Sequence, residues 1–271
     1  MSSFQPTARQ RSEIAYHEAH AQKNAEIATR PVSLDVVNSE KRRWWNAYWT
    51  TYGLLRAKDL KGKNVLVAGC GFGEDAIRLA HMGARVYAFD ISPDIIALTR
   101  RRVETLGLAN IDLKIMPSEA MEYEDDFFDY AFFLDILHHV DIPNTVAEIK
   151  RVMKPGGEII GDELYTHSVL QKNIRESWLV RKFLYPRMQG YVYGDSEPYI
   201  TDDEHKIDED EFRYVQDICA ETKVQYYNIL VGRIFPFGFS WLQKMDRLAA
   251  MMLFGWGRYL AGRIVFVGKL G

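Results

Sequence analysis

A chain of 271 residues, 47% hydrophobic and 26% charged, is long enough for one substantial core, or for a core with a small appended lobe. Its net charge of −3 and pI near 6.2 give no basic field for nucleic acid, and we find no zinc-binding or RNA-binding motif. Two cysteines, Cys70 and Cys219, make no disulfide framework, and the amino terminus lacks the apolar stretch of a secretion signal. No run reaches the ~18 apolar residues of a membrane-spanning helix. We therefore expect a cytoplasmic protein without a nucleic acid partner.

The first 60 residues are predicted to form a polar, helical lid. Tyr16, His17 and His20 lie in one predicted helix, where the two histidines share a face. A helical histidine pair can bind a metal, but no third ligand stands at a recognisable spacing, so we predict no metal site. The lid ends in WWNAYWTTY at residues 44–52, whose closely spaced rings cannot all face one core. We expect some of these rings to cover a ligand or a neighbouring lobe.

The run VLVAGCGFGED at residues 65–75 predicts an apolar strand, a tight glycine loop and the start of a helix. Such a loop brings backbone N–H groups and a helix N-terminus close to a ligand. The spacing is G-x-G-x-G, with Glu74 where a dinucleotide fingerprint has its third glycine, and a carboxylate there would repel a pyrophosphate. The motif therefore indicates a nucleoside without phosphates and argues against a nicotinamide-dependent dehydrogenase.

A second buried strand, ARVYAFD at residues 84–90, is predicted to end in the carboxylate of Asp90. A carboxylate at this place can accept both hydroxyls of a ribose. Ser92 and Pro93 then start a helix, as its N-cap and its first helical residue. These features strengthen the nucleoside interpretation of the glycine loop.

Strands and helices alternate as far as residue 165, which predicts a parallel sheet with right-handed crossovers and helices on both faces. Ligands of such sheets bind beyond the carboxyl ends of the strands. Strands are expected near 64–69, 84–90, 110–116, 128–134 and 158–163, and helices near 73–82, 93–107 and 143–153.

Four segments taken together resemble the class I S-adenosylmethionine-dependent methyltransferases, in order and at their usual separations. They are VLVAGCGFGEDA, FDISP, FDYAFFLDILHHV and RVMKPGG, and the resemblance covers roughly residues 62–165. It implies a Rossmann-like doubly wound α/β sheet, mostly parallel with an antiparallel last strand. It also implies S-adenosyl-L-methionine as the cofactor and S-adenosyl-L-homocysteine as its product.

The resemblance further implies a set of cofactor contacts. Gly69, Gly71 and Gly73 would follow the methionine and ribose, Asp90 the ribose hydroxyls, Ile91 the adenine, and the Leu134 carbonyl the amino group. Two positions depart from the family pattern, because Val67 and Pro117 stand where the family often has acidic residues. Ser118 and Glu119 are then the candidates for the adenine contacts.

The methyl acceptor should lie above LDILHHV at residues 134–140, which follows the fourth strand. His139 is the first candidate for a general base, since an imidazole titrates near neutral pH, and His138 is the alternate. His-His after this strand is common in the family, so a structural or cofactor-side role for both remains open. Asp162, Glu163 and His167 follow the fifth strand and are expected to border the same pocket.

A helical cap is predicted at about residues 166–208, inserted after strand five of a methyltransferase domain that spans 61–271. Residues 168–188 carry five basic residues against one acid, net +4, and residues 194–221 carry eleven acids against two basic residues, net −9. A charge run is most often a solvated face. In TDDEH at 201–205, His205 is a further catalytic candidate, and Thr201 with Glu204 also fits a capping box.

The carboxyl-terminal part is expected to contain a helix near 209–221, two final strands near 224–231 and 263–269, and an aromatic, basic helix at about 238–256. Residues 233–271 carry six Lys or Arg against one acid, net +5, among several large aromatic rings. That composition suits a pocket lid, a homodimer contact or a helix lying on a membrane surface.

The sequence thus predicts a methyltransferase acting on a small molecule by in-line displacement. One alternative is a lipophilic, quinone-like or lipid-like acceptor held at the membrane, since the LHHV and KPGG runs resemble those of quinone-biosynthesis methyltransferases. The other is a non-catalytic protein that binds S-adenosylmethionine. No pattern separates O-, N- and C-methylation.

Overall fold

The computed structural model describes residues 5–39, 43–170, 173, 177–184, 206–232, 235 and 239–271. Within these residues the chain forms one seven-stranded sheet with helices on both faces. The strands are β1 (Asn64–Ala68), β2 (Arg85–Asp90), β3 (Ile111–Ile115), β4 (Phe128–Leu134), β5 (Met153–Leu164), β6 (Cys219–Tyr227) and β7 (Arg263–Leu270). The numbered helices are α1 (Ala8–Lys23), the short α2 (Asp35–Asn38), α3 (Ala47–Arg56), α4 (Glu74–His81), α5 (Pro93–Thr105), α6 (Ile142–Val152), α7 (Glu209–Asp217) and α8 (Ser240–Met252). Short helical turns lie at Ala25–Thr29, Leu137–His139, Ser168–Leu170, Val180–Leu184, Phe254–Trp256 and Gly257–Leu260.

The strand order is β3-β2-β1-β4-β5-β7-β6, with β1 to β5 parallel. Strand β7 runs antiparallel to both of its neighbours, β5 and β6. The chain order reverses direction across the sheet between β1 and β4, which is the switch point where such sheets bind ligands. The predicted Rossmann-like sheet with an antiparallel last strand is confirmed.

Both faces of β1 are covered, as expected for a central parallel strand. Leu66 packs with Phe89 and Phe133 on one face, and Val67 packs with Ile77 on the other. Burial of each such side chain contributes about 1.5–3 kcal/mol relative to its exposure. The resulting core holds the carboxyl ends of β1, β2 and β4 in fixed register.

Local sequence determines where the helices at the carboxyl edge of the sheet begin. Ser92 caps α5 by accepting a hydrogen bond from the Ile95 N–H at 3.4 Å, and Pro93 is the first helical residue, as predicted. Asp141 caps α6 by accepting from the Asn144 N–H at 3.1 Å. Each cap satisfies a backbone donor that the helix itself leaves unpaired.

The boundaries in the carboxyl-terminal part were predicted wrongly. The helix expected near 209–221 ends at Asp217, and the strand expected near 224–231 is β6, which begins at Cys219. Strand β6 pairs along the length of β7, so its extent is set by this partner and not by its own alternation. Strand β5 likewise extends further than the predicted 158–163, because its first residue pairs with Phe128.

Helix α1 crosses the carboxyl edge of the sheet and packs on α5. Ala21 on α1 contacts Ile95 and Leu98, with Phe72 of the glycine loop beside them. Among the described helices, none combines the length and the apolar composition that crossing a membrane would require.

Candidate cofactor and methyl-acceptor site

The glycine loop between β1 and α4 has three residues with positive φ: Gly69 at +60°, Gly71 at +48° and Gly73 at +77°. L residues with side chains rarely adopt this conformation. A Cβ on Gly69 would collide with the Ile136 side chain, and one on Gly73 with Thr99, whereas a Cβ on Gly71 would meet no atom within 4 Å. The outer glycines are therefore needed for packing, while the backbone at Gly71 borders open space that a ligand could occupy.

Asp90 at the end of β2 holds this loop in place. Its Oδ2 accepts a hydrogen bond from the Gly71 N–H at 3.1 Å, and its Oδ1 accepts from the Ser92 N–H at 3.0 Å. Burial raises the pKa of Asp90, while the nearby His17 and these N–H donors lower it in part. The structure thus joins Gly71 and Asp90 at the sheet edge where a ribose contact was predicted.

Ile91, half-buried, follows Asp90 directly. Ser118 is buried, and its hydroxyl lies 2.8 Å from that of Thr145. Glu119 Oε1 accepts from Arg9 Nη2 at 2.6 Å and from the Asp141 N–H at 3.0 Å. The Glu119 carboxylate is therefore already engaged by α1, and its predicted adenine contact stays a prediction.

Helix α1 covers the glycine loop. The His20 ring lies 5.2 Å from that of Phe72 and stacks at 5.9 Å on that of Tyr16. At the amino end of the helix, Gln10 Nε2 donates to Glu119 Oε2 at 3.2 Å. The sequence pointed to Tyr16, His17 and His20 but gave no sign of the buried Glu13 on the same helix, because the polar face of an isolated helix does not reveal its partner.

The two histidines after β4 have different environments. His138 is buried, with Nδ1 3.1 Å from Glu163 Oε2, while Glu163 Oε1 accepts from the N–H groups of Ile136 and Leu137 at 2.7 and 2.9 Å. His139 lies nearer the surface, with Nδ1 3.4 Å from Oε1 of Glu13 on α1. The Glu163–His138 pair thus fixes the turn, and His139 faces α1. His205 lies outside the described residues.

Asp135, Asp162 and Arg263 form an ionic cluster between the ends of β4, β5 and β7. Arg263 Nη2 lies 2.6 Å from Asp135 Oδ2, and Arg263 Nε donates to Asp162 Oδ1. Asp135 itself has a φ of +52°. Burial raises the pKa of Asp162 to about 7 although the Arg263 guanidinium lowers it. This cluster is a charged wall at the predicted acceptor side.

A cavity of about 180 Å³ adjoins this cluster. Its lining is mostly polar and includes two aromatic rings, Trp45 just before α3 and Tyr48 in the first turn of α3. The other lining residues are Asn46, Ala47, Asp162, Asn228, Gln243 and Arg263. His167, expected at the same pocket, is instead paired with Glu209, with Nδ1 3.4 Å from Oε1.

The aromatic side chains of residues 44–52 are divided between the protein core and the cavity. Tyr52 is fully buried and Trp49 nearly so, whereas Tyr48 lines the cavity. The hydroxyls of Tyr48 and Tyr52 donate to Asp75 Oδ1 at 2.7 and 2.6 Å. Because Asp75 lies in the first turn of α4, these bonds tie the aromatic segment to the glycine loop.

One group of described side chains has the spacing of a metal site: Asp135, His138 and Glu163, whose ligand atoms lie within 4.8 Å of one another. Both Glu163 oxygens already have protein partners, and Asp135 is paired with Arg263. Contacts within the protein are therefore sufficient to explain why these three side chains lie together. That the protein has no resident metal stays a prediction.

This sheet, with its glycine loop and terminal carboxylate at the switch point, defines a nucleoside-binding α/β domain of the methyltransferase type. Residues 65–157 match the family model described as a methyltransferase domain. The comparison thus identifies a methyltransferase domain at residues 65–157 of this chain.

Several curated relatives are methyltransferases of quinone synthesis. A ubiquinone biosynthesis O-methyltransferase from Methylocella silvestris is 39% identical over 101 residues, which are 37% of this chain and 39% of that protein. One from Sodalis glossinidius is 28% identical over 182 residues, or 62% of this chain and 69% of that protein. A demethylmenaquinone methyltransferase from Bacillus mycoides is 33% identical over 111 residues, or 39% of this chain and 47% of that protein. The first and third matches span less than half of their relatives' lengths.

Two solved structures share the fold over most of this chain. The [4+2]-cyclase SpnF has a TM-score of 0.57 at 16% identity, covering 98% of this chain and 96% of its own. Phosphoethanolamine N-methyltransferase 2 from Haemonchus contortus, in complex with phosphomonomethylethanolamine and S-adenosylhomocysteine, has a TM-score of 0.53 at 15% identity. That match covers 82% of this chain and 52% of the Haemonchus contortus chain.

Proposed function

We propose that this protein transfers the methyl group of S-adenosyl-L-methionine to a small-molecule acceptor by in-line displacement. The observation that carries the proposal is the open space at Gly71, whose N–H is held by Asp90 at the switch point. A sulfonium needs no covalent protein nucleophile. The enzyme has to align acceptor and methyl at about 3–3.5 Å and keep water out.

In this proposal Gly69, Gly71 and Gly73 follow the methionine and ribose, and Asp90 accepts the ribose hydroxyls. Each Asp90 oxygen accepts a backbone N–H and, as a carboxylate oxygen, has a further lone pair for a hydroxyl. Leu134 ends β4 beside the loop, so its carbonyl suits the amino group of the cofactor.

On the acceptor side we assign His139 as the general base for an O–H or N–H acceptor. It lies in the turn after β4 and retains partial exposure, while the neighbouring His138 is enclosed and paired with Glu163. An imidazole is the side chain most often used as a general base. The cavity lined by Asp162, Arg263 and Trp45 is the proposed acceptor pocket.

The test incubates the protein with S-adenosylmethionine carrying an isotopically labelled methyl group and an extract of the source cell, split into aqueous and lipid fractions. Mass spectrometry then locates the label. We expect labelled product that disappears in the Asp90→Ala variant. If cofactor binds but neither fraction is labelled, the protein binds S-adenosylmethionine without transferring its methyl group.

One observation favours a lipophilic acceptor at a membrane surface. Helix α8 exposes an apolar stripe at helical spacing, formed by Trp241, Met245, Leu248 and Met252, and Met252 is 75% exposed. Its opposite face is anchored, because Asp246 accepts from the N–H groups of Ile229 and Leu230 at 3.0 and 2.7 Å. The quinone-synthesis relatives support the same interpretation.

Vesicle sedimentation distinguishes a membrane contact from a dimer contact. The protein is mixed with vesicles of phosphatidylcholine, alone or with equal phosphatidylglycerol. We expect Trp241→Ser with Met245→Ser to weaken sedimentation about tenfold or more, and Trp178→Ser, at an exposed ring off this helix, to leave it unchanged. Failure to sediment, with a concentration-dependent dimer lost in the same double variant, would assign the stripe to self-association.

A further inference from the structure

We propose that Glu13, on the lid helix α1, is a positioning residue for His139 and sets which ring nitrogen of His139 is basic. The inference rests on the proposed function, in which His139 is the general base. Glu13 can orient this base only while α1 covers the site. Glu13 lies more than a hundred residues before His139 in the chain, so only the docked helix brings the two together.

The geometry at Glu13 defines the contact. The residue is 6% exposed, its Oε1 lies 3.4 Å from Nδ1 of His139, and its Oε2 lies 3.8 Å from Nε2 of His17. In this proposal Glu13 is ionised and only accepts hydrogen bonds, so His139 carries its proton on Nδ1, toward Glu13. Nε2 is then left unprotonated and can take a proton from an acceptor.

The neighbouring pair supplies an internal comparison. His138 and His139 have ring centroids 4.1 Å apart, and each has one glutamate beside its Nδ1. Glu163 is fully buried and also binds two backbone N–H groups of the turn, so its pair is architectural. Glu13 belongs to a separate helix, and its position beside His139 depends on where that helix docks.

Contacts away from Glu13 hold the helix there. Arg9 and Gln10 bind Glu119 on one side, and His20 packs on Phe72 on the other. Glu13 therefore sits between two attachment points, over the site. Opening of α1 for cofactor exchange would remove the carboxylate from His139, and closure would restore it.

In the part of the chain that the structure describes, three elements bring charged or titratable groups close to His139. Helix α1 contributes Glu13 and His17, the turn itself contributes His138, and β5 contributes Glu163 behind His138. A test must therefore report on His139 by itself. The nitrogen NMR shifts of its ring do so, because they differ between the two neutral tautomers.

The experiment uses histidine labelled with nitrogen-15 in the full chain, saturated with S-adenosylhomocysteine. The His139 signals are those missing from His139→Gln. We expect the Nδ1–H form in the wild type and in Glu13→Gln, whose amide oxygen can still accept. We expect a shift toward the Nε2–H form in Glu13→Leu. An unchanged tautomer in Glu13→Leu would overturn the proposal.

Arg9→Leu is the matched control, because it removes one α1 contact at Glu119 while Gln10 and His20 still hold the helix with Glu13 in place. It should weaken S-adenosylhomocysteine binding without changing the His139 tautomer. With the acceptor found by isotope transfer, Glu13→Leu should lower kcat about tenfold or more with little change in KM for the cofactor. The tautomer measurement needs no methyl acceptor, so it tests the role of Glu13 alone. A failure of the proposed methyl transfer would instead appear as an absence of labelled product with the wild-type protein.

Discussion

At the scale of single residues, the three loop glycines share a backbone conformation but differ in what surrounds them. Gly73→Ala would place a Cβ against Thr99, whereas the Cβ of Gly71→Ala would meet only open space. Both substitutions would hold an alanine in the left-handed backbone conformation. The strained backbone costs about 1–2 kcal/mol in either case. Steric conflict adds to this cost at Gly73, and in the proposed binding mode a methyl group at Gly71 would take space from the cofactor.

We therefore expect Gly73→Ala to lower stability more than Gly71→Ala, and Gly71→Ala to lose more affinity for S-adenosylhomocysteine than its stability loss explains. Urea unfolding and calorimetric titration measure the two effects. Equal affinities in Gly71→Ala and the wild type would mean that the ligand does not pass this glycine.

The buried Asp162 predicts a pH effect on stability. Its folded pKa of about 7 lies above the ordinary aspartate value of 3.8, so between these two values the folded state binds more protons than the unfolded state. Its contribution to stability is therefore fully present at low pH and is lost as pH rises toward 7. Asp162→Asn has no such proton to lose.

Between pH 4.5 and 7.5 we expect the wild type to lose on the order of 1–3 kcal/mol of unfolding free energy relative to Asp162→Asn. The reason is that each increase of 1 in the folded-state pKa corresponds to at most about 1.4 kcal/mol. Urea unfolding of both proteins across this range is the measurement. Parallel curves would show that Asp162 is ionised throughout.

Residues fixed by local rules could be read from the sequence. The glycines, Asp90 and the Ser92 cap follow from strand ends and turn chemistry, and each occupies its expected place in the fold. Glu13 and Arg263 could not be found this way. Their importance depends on which distant carboxylate or imidazole they meet, and no local spacing encodes that contact.

At the scale of elements, α1 depends on its first turn. Thr7 Oγ1 accepts from the Gln10 N–H at 3.3 Å, and Gln10 Oε1 accepts from the Thr7 N–H at 2.9 Å. This capping box satisfies two donors at the helix start. The same Gln10 also binds Glu119, so cap and docking contact share one side chain.

We expect Thr7→Ala to cost about 1 kcal/mol of local α1 stability, which speeds amide exchange in Ala8–Lys23 about fivefold. Hydrogen exchange measured by mass spectrometry tests this, with α5 as the internal reference. Unchanged exchange would mean that docking on α5 and Glu119 alone holds the helix.

Element type was predictable where periodicity and caps coincide, as in β1, β2 and α5. It was least predictable at α7 and β6, where the apolar spacing of the helix continues across Ile218 into the strand. Pairing with β7 decides that boundary, and pairing is a tertiary property. The predicted cap is largely outside the described residues, so its extent stays a prediction.

At the scale of the whole molecule, ligand and lid should stabilise each other. A ligand that binds only the folded state at a hundred times its Kd adds about 2.7 kcal/mol. Because α1 covers the glycine loop, we expect S-adenosylhomocysteine to slow amide exchange in α1 more than in the distant β6. Equal protection of both elements would argue that α1 does not respond to the cofactor.

Strand β7 has a consequence for the order in which a newly made chain becomes competent. Arg263, its first residue, supplies the guanidinium between Asp135 and Asp162, while β1 to β5 are all translated earlier. A nascent chain that has emerged only as far as β5 has an unpaired sheet edge and two carboxylates without their counter-ion. The cluster of Asp135, Asp162 and Arg263 can therefore be completed only after the last strand has been synthesised.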